Sequence, residues 1–393
     1  MTLAIIVICC LILIAYLFDL SARLTKIPSV ILLLLLGWGV RQITNYFSVP
    51  VPNLSSVLPA LGTIGLILIV LEGSLELTLN KSKLPVIKKS FWGAFLSMMA
   101  VAFIVAMVVK LIVGGSFKND LVNIIPLCVI SSAIAIPSVA HLSPENKEFI
   151  IYESSLSDIF GVLFFNFVAL SGSINARSFL HFGLQLIGMI FISLIATVLL
   201  SFFLKKIRHH IKFIPIILQL IIIYLLAKMF HLPALLFVLI FGLFLGNIDK
   251  LRHFAAIQKF IDNDFEQEVQ KFKDLNGEAT FVVRVLFFIL FGYLMETSEI
   301  LNLQTLFWAV GIVAVIFIVR KIQLKISKLP VTPLLFLAPR GLITILLFLS
   351  LDPSQQIAFI NRSLVVQVII IMALTMMVGL IATKPKINVG NVS

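Results

Sequence analysis

The sequence predicts an all-α polytopic membrane protein of about thirteen transmembrane helices, built as inverted repeats in which two crossing helices, spans 5 and 12, are broken. Three observations predict it. Of the 393 residues, 60% are hydrophobic and 12% charged, with a mean hydropathy of +1.14; a soluble fold has too little interior for so much apolar surface. The apolar residues fall into runs long enough to cross a bilayer. The basic residues alternate between the connections joining those runs.

The runs are 2–20, 27–43, 57–79, 90–113, 121–141, 145–171, 178–204, 213–230, 232–248, 278–295, 303–320, 330–350 and 363–383. Twenty-one of the 30 lysines and arginines lie in odd-numbered connections and the C-terminus. Five (Arg41, Lys118, Arg177, Lys228 and Arg362) lie in even-numbered ones, and the other four within spans or at their ends. Positive charge collects on the cytoplasmic side, so the N-terminus is expected outside and the C-terminus in the cytoplasm of a cell that carries this chain in its inner membrane. The net charge of +12 is then a topology signal, and no nucleic-acid partner is expected.

In chain order, the first run has neither a basic region ahead of it nor a small-residue cleavage site, and reads as a span rather than a removed signal peptide. Span 3 carries Glu72 late in "ILIVLEGSLEL", with Glu76 one turn on as a solvated end residue. Span 5 carries "VISSAIAIPSVAHL", with Pro137 behind Ser131 and Ser132. Span 12 carries "LPVTPLLFLAPRGLITILL", with Pro339, Arg340 and Gly341 together. Proline removes a backbone donor and clashes with the preceding turn. In lipid the freed groups need protein partners or a water-filled cavity. Two such breaks seven spans apart point to inverted repeats, about 1–171 and 213–383, joined by the connector span 178–204, with a binding site near the midplane. The longest polar connection, 249–277, has apolar residues at helical spacing (Phe254, Ile257, Phe260, Ile261, Phe265) and reads as an amphipathic helix on the cytoplasmic surface.

Span 6, "FIIYESSLSDIFGVLFFNFVAL", contains two carboxylates where water is scarce. Ser143 and Pro144 start the helix. Asp158 then lies ~21 Å along it, near the membrane middle, with Ser154 and Ser155 on its own face one turn back. One carboxylate with hydroxyl oxygens beside it suits a hard monovalent cation or a proton, and an unpaired acid at this depth is typically an ion site. Glu153 is turned ~140° away and reads as structural, paired with an intramembrane arginine. The cysteines and histidines show no disulfide framework, metal-ligand spacing or nucleophile–base set, so neither an enzyme nor a resident cofactor is expected.

Five segments in order resemble the monovalent cation:proton antiporter superfamily, in its sodium/proton exchanger branch. "ESSLSD" is similar to its E-S-L-x-N-D motif and "APRGLI" to its P-R-G motif. "VLEGSLEL", "RVLFFILFGYLM" and "VIFIVRKIQLK" are similar to its third span, its aromatic span and its span with a core-facing basic residue. The resemblance implies a single antiporter domain in which Asp158 binds cation and proton in turn. Ser154, Ser157, Ser131 and Ser132 would supply oxygens and Glu72 would join the site. It further implies a structural ion pair between Glu153 and Arg340, Arg320 as the core-facing base, and a homodimer embedded in the lipid bilayer. Two positions depart from the pattern: Ser157 replaces the asparagine, and "SSAIAIP" replaces a Thr-Asp-Pro. The expected activity is electroneutral exchange of Na⁺ for H⁺, with competition at Asp158. K⁺ or Li⁺ in place of Na⁺, and a non-transporting ion sensor of the same fold, stay open as alternatives.

Overall fold

With no water to satisfy them, the backbone groups of an apolar run in lipid must pair within their own segment, so each run becomes a helix. A computed structural model describes residues 2–25, 27–49, 51–77, 81–139, 142–171, 175–206, 213–230, 232–251 and 263–382. Its helices are α1 (Thr2–Thr25), α2 (Ser29–Tyr46), α3 (Val57–Glu76), α4 (Leu84–Val113), α5 (Phe117–Cys128), α6 (Ser132–Ser138), α7 (Pro144–Leu170), α8 (Ala176–Lys206), α9 (Phe213–Met229) and α10 (Leu235–Gly246). They continue as α11 (Ile248–Leu251), α12 (Asn263–Leu294), α13 (Thr297–Ile300), α14 (Leu303–Ile326), α15 (Leu342–Leu349) and α16 (Arg362–Ala382). Among the described residues there is no strand. Eight segments are long and apolar enough to cross a membrane, α5 and α6 counting as one, and shorter apolar stretches run through Ile5–Ser21, Phe213–Met229 and Leu235–Gly246. The chain is an integral membrane protein.

Both expected breaks are present. α5 ends at Cys128, the chain runs extended through Val129 to Ser131, and α6 resumes at Ser132. Of the predicted twelfth span, only Leu342–Leu349 is α-helical; the stretch before it is turns and extended chain. The connection 249–277 differs from expectation. Phe254, Ile257, Phe260 and Ile261 lie outside the described residues. From Asn263 onward the chain already belongs to α12, one continuous helix reaching Leu294. Its apolar face is buried inside the protein: Phe265 and Phe272 are closed off, and Phe272 lies between Phe213 and Phe241 at 6.1 and 6.2 Å.

Close helix contacts are made through glycine. A Cβ at Gly37 of α2 would meet the Ile289 backbone of α12, and one at Gly292 of α12 would meet the Leu34 backbone of α2. α10 approaches α3 in the same way, Gly246 against the Leu75 carbonyl. Apolar side chains gain little by leaving lipid for one another, so close backbone packing at small residues holds such helices together. Arg41 closes the end of α12, donating to the carbonyls of Leu294 and Met295 at 3.1 and 3.2 Å, and Arg362 donates to Leu294 at 2.7 Å.

Candidate functional site

The two breaks meet. The Ser131 N–H, in the gap between α5 and α6, donates to the carbonyl of Pro339 in the gap before α15 at 2.9 Å. Each break frees backbone groups that helix would otherwise satisfy. Arg340 takes up part of that demand: Nε donates to the Leu127 carbonyl at 2.7 Å and Nη1 to that of Ala338 at 2.8 Å. A buried guanidinium thus sits at the C-terminal end of α5, where the helix dipole favours positive charge.

Asp158 of α7 sits at the opposite kind of helix end. Its Oδ2 accepts from the Ser132 N–H at 3.3 Å and from the Ser132 hydroxyl, both at the start of α6. Its Oδ1 has no partner, although the residue is only 1% exposed. Three more buried oxygens on the surrounding segments also lack partners: Ser131 Oγ, Ser155 Oγ and Thr344 Oγ1. Buried polar atoms are rarely left unpaired without a reason. Here they are oxygens alone, the ligand type a hard cation takes.

The other serines do backbone work. Ser157 Oγ accepts from the Ile130 N–H at 2.9 Å and so pins the first break to α7. Ser154 donates to the Ile150 carbonyl of its own helix at 2.7 Å. Ser155 lies against Gly73 of α3, where a Cβ would stand 3.0 Å from its Oγ.

The expected pair of Glu153 with Arg340 is corrected. Glu153 is held by Arg320 in a two-pronged contact, Nη1 to Oε1 at 3.1 Å and Nη2 to Oε2 at 2.9 Å. Neither residue is more than 2% exposed. The same guanidinium donates to the carbonyls of Leu334 and Leu337, at 2.9 and 3.1 Å, in the non-helical stretch ahead of Arg340. Arg320 therefore satisfies a charge and bonds two backbone carbonyls at once, a use that suits its planar fork. Arg340 takes no such role because its donors go to Leu127 and Ala338. Arg320 also lies well inside α14 rather than at its end. Gly93 of α4 leaves room for this cluster, since a Cβ there would press on Gln323 and stand 3.2 Å from Glu153 Oε1.

Glu72 faces α12. Its Oε1 faces Gly277 of α12, and the charges acting on it are those of Arg284, Glu76, Asp19 and Lys273. Sequence reasoning passed over Thr344, Gln323 and Gly93. A threonine one turn after a Pro-Arg-Gly break was a usable signal for the first; the other two carried none.

Two cavities flank α7, one at each end. A cavity of 510 Å³ opens where α7 ends, lined by Thr63, Val162, Asn166, Lys228 and Asp352 among others. Val162 is one turn beyond Asp158 on the same helix face. A smaller cavity of 280 Å³ at the start of α7 reaches Phe149, ~13 Å before Asp158 along the axis. Hydrogen bonds from Ser354 hold the exposed Asp352 carboxyl at the rim below its ordinary range.

Broken helices that cross beside a buried carboxylate are an arrangement found in secondary transporters of ions. Residues 9–386 match the family "Sodium/hydrogen exchanger, transmembrane"; the chain belongs to that family, whose members are transporters, not enzymes, and the membership carries cation/proton antiport. No curated protein matches the chain. Its fold is similar to that of the sodium proton antiporter MjNhaP1 from Methanocaldococcus jannaschii in a structure at pH 8, with TM-score 0.69 and 20% identity over 97% of this chain and 95% of that one. An electron-microscopy structure of the same antiporter gives TM-score 0.69 and 19% identity over 96% and 94%.

Proposed function

We propose that the protein exchanges Na⁺ for H⁺ one for one, by competition at Asp158. The observation that carries this is the asymmetry of that carboxylate: Oδ2 is held by the start of α6 while Oδ1 is buried and free. A proton on Oδ1, or a cation bridging Oδ1 to nearby hydroxyl oxygens, neutralises the group. An ionised carboxylate left bare at this depth costs at least a few kcal/mol. The loaded carrier can therefore cross the low-dielectric barrier and the empty one cannot, which makes exchange obligatory without direct contact between the two ions. Ser131, Ser132, Ser154 and Ser157 belong to this site as oxygen ligands or as the residues that shape it, and Thr344 joins them.

In this reading, spans 1–6 and 8–13 form the repeats, residues 1–171 and 213–383, with 178–204 as the connector, in an inner-membrane homodimer whose N-terminus is outside. The archaeal protein of similar fold is a sodium proton antiporter, which favours sodium; potassium is the second reading, because the first break offers hydroxyls in place of a second carboxylate. The test is proton flux in proteoliposomes with Na⁺, K⁺ and Li⁺ added separately. Proton release driven by Na⁺ in the wild type and absent in Asp158→Asn is expected. Release driven only by K⁺ would reassign the ion, and no release with any of the three would make the protein a sensor.

A further inference from the structure

Two cavities adjoin on the flank of α7, the first between α4, α5, α7 and the start of α8, the second between the end of α7 and the start of α8. The first, of 560 Å³, is lined only by apolar side chains, eight of them phenylalanines, including Phe103, Phe160, Phe164 and Phe179. The second, of 680 Å³, is lined by Asn166, Ser171, Asn175, Arg177, Ser178 and His181, with the apolar Phe167 and Phe182 as walls it shares with the first. The ring of Phe167 stands 4.7 Å from that of Phe179 and 5.0 Å from that of Phe182, so these rings mark the boundary between polar and apolar halves.

The depths match a lipid. α7 ends at Leu170 and α8 begins at Ala176, which puts the polar cavity at a membrane face. Phe160 is ten residues back from the end of α7, ~15 Å along its axis, half the ~30 Å of the hydrocarbon core. The apolar cavity therefore descends through one leaflet. The charge also matches. Arg177 and His181 are one turn apart on one face of α8, and the second cavity has no acidic side chain in its lining. Arg41 and Arg362, in other connections of the same parity, are occupied by the carbonyls of α12 and by Glu296 and Glu299. Arg177 has no ion pair among the described residues.

We propose that this two-part groove, walled by α4, α5 and α7 in its apolar half and by the ends of α7 and α8 in its polar half, holds one anionic phospholipid, its phosphate against Arg177 and His181 and one acyl chain in the phenylalanine-lined pocket. Arginine is suited to phosphate through paired N–H donors, and a zwitterionic headgroup would bring a second cation beside Arg177. The lipid packs directly on the helix that carries Asp158. The proposal requires only that the chain lies in a membrane, so it stands or falls apart from the antiport reading.

The experiment is native mass spectrometry of the full chain in mild detergent, titrated with phosphatidylglycerol and with phosphatidylcholine of the same acyl chains. One phosphatidylglycerol per chain should be retained at about tenfold lower concentration than phosphatidylcholine, a difference of ~1.4 kcal/mol. Arg177→Gln combined with His181→Gln, both exposed positions, should erase that preference. Leu163→Trp, which fills the apolar pocket, should weaken retention of both lipids. Glycerol phosphate, the headgroup without chains, should not be retained. Equal retention of the two lipids, an unchanged preference in the double variant, or retention of glycerol phosphate as strong as that of the lipid would each overturn the proposal.

Discussion

Glu153 and Asp158 sit five residues apart on one helix, both closed to solvent, and are treated in opposite ways. Glu153 has both oxygens bound by the guanidinium of Arg320, which also ties down two carbonyls. Asp158 has no cationic side chain bonded to it. One oxygen meets a helix N-terminus and a hydroxyl, and the other meets nothing. A full counter-charge locks a carboxylate in one state. Dipoles soften the cost of ionisation without removing the group's ability to take up a proton or a cation. Burial alone therefore does not identify an ion site; the kind of partner does.

The sharpest way to break the comparison is to neutralise each acid. Asp158→Asn should reduce cation-driven proton flux to that of empty liposomes while the protein stays folded. Retained flux in the purified variant would show that the titrating group lies elsewhere. Neutralising one member of the other pair leaves its partner buried and uncompensated, at ~3–5 kcal/mol. Glu153→Gln and Arg320→Gln should each lower thermal stability strongly, and the double variant should recover much of the loss. A cycle of Glu153 with Arg340 should show little direct coupling. The reverse result, strong coupling to Arg340 and none to Arg320, would contradict the geometry.

Smaller effects sharpen the picture. Ser157→Ala leaves the buried Ile130 N–H without its acceptor, a penalty of ~1–3 kcal/mol, and should loosen the first break with a loss of both stability and turnover. Thr344→Val removes an oxygen that has no protein partner, so it should cost little stability. It should raise the apparent KM for the cation by up to about tenfold, one hydrogen-bond-sized interaction; an unchanged KM would place Thr344 outside the site. The smallest expected effect is none at all. Asp158 is the one acid assigned to the site, so one proton leaves per cation bound. Exchange in liposomes clamped with potassium and valinomycin should ignore the imposed voltage, and a reversal point that follows it would show a second titrating group at work.

Much of this was readable in the sequence, because the features concerned are local. A run of apolar residues declares a helix wherever it ends up. Proline beside serines or beside Arg340 and Gly341 declares a break. The spacing of Ser154, Ser155 and Asp158 declares a shared face. The partner of Glu153 was not local. Two buried arginines were on offer, and the choice turns on which backbone carbonyls each guanidinium reaches, a property of the folded breaks alone. For the same reason Glu72, grouped by motif with the ion site, turns out to face α12, and the polar stretch after Asn263 is the first part of one continuous helix.

The triple grip of Arg320 has a consequence for affinity. One guanidinium fastens α14 to α7 through Glu153 and to the stretch before α15 through Leu334 and Leu337, while Ser131 and Pro339 lace the two gaps together. The segments around Asp158 are thus bound to one another. We propose that a compartment so fastened moves as one body during exchange. The intrinsic dissociation constant of the ion is then the same whichever face of the membrane it is loaded from, and any difference between half-saturation on the two sides measures how the carriers are distributed, not how well either side binds.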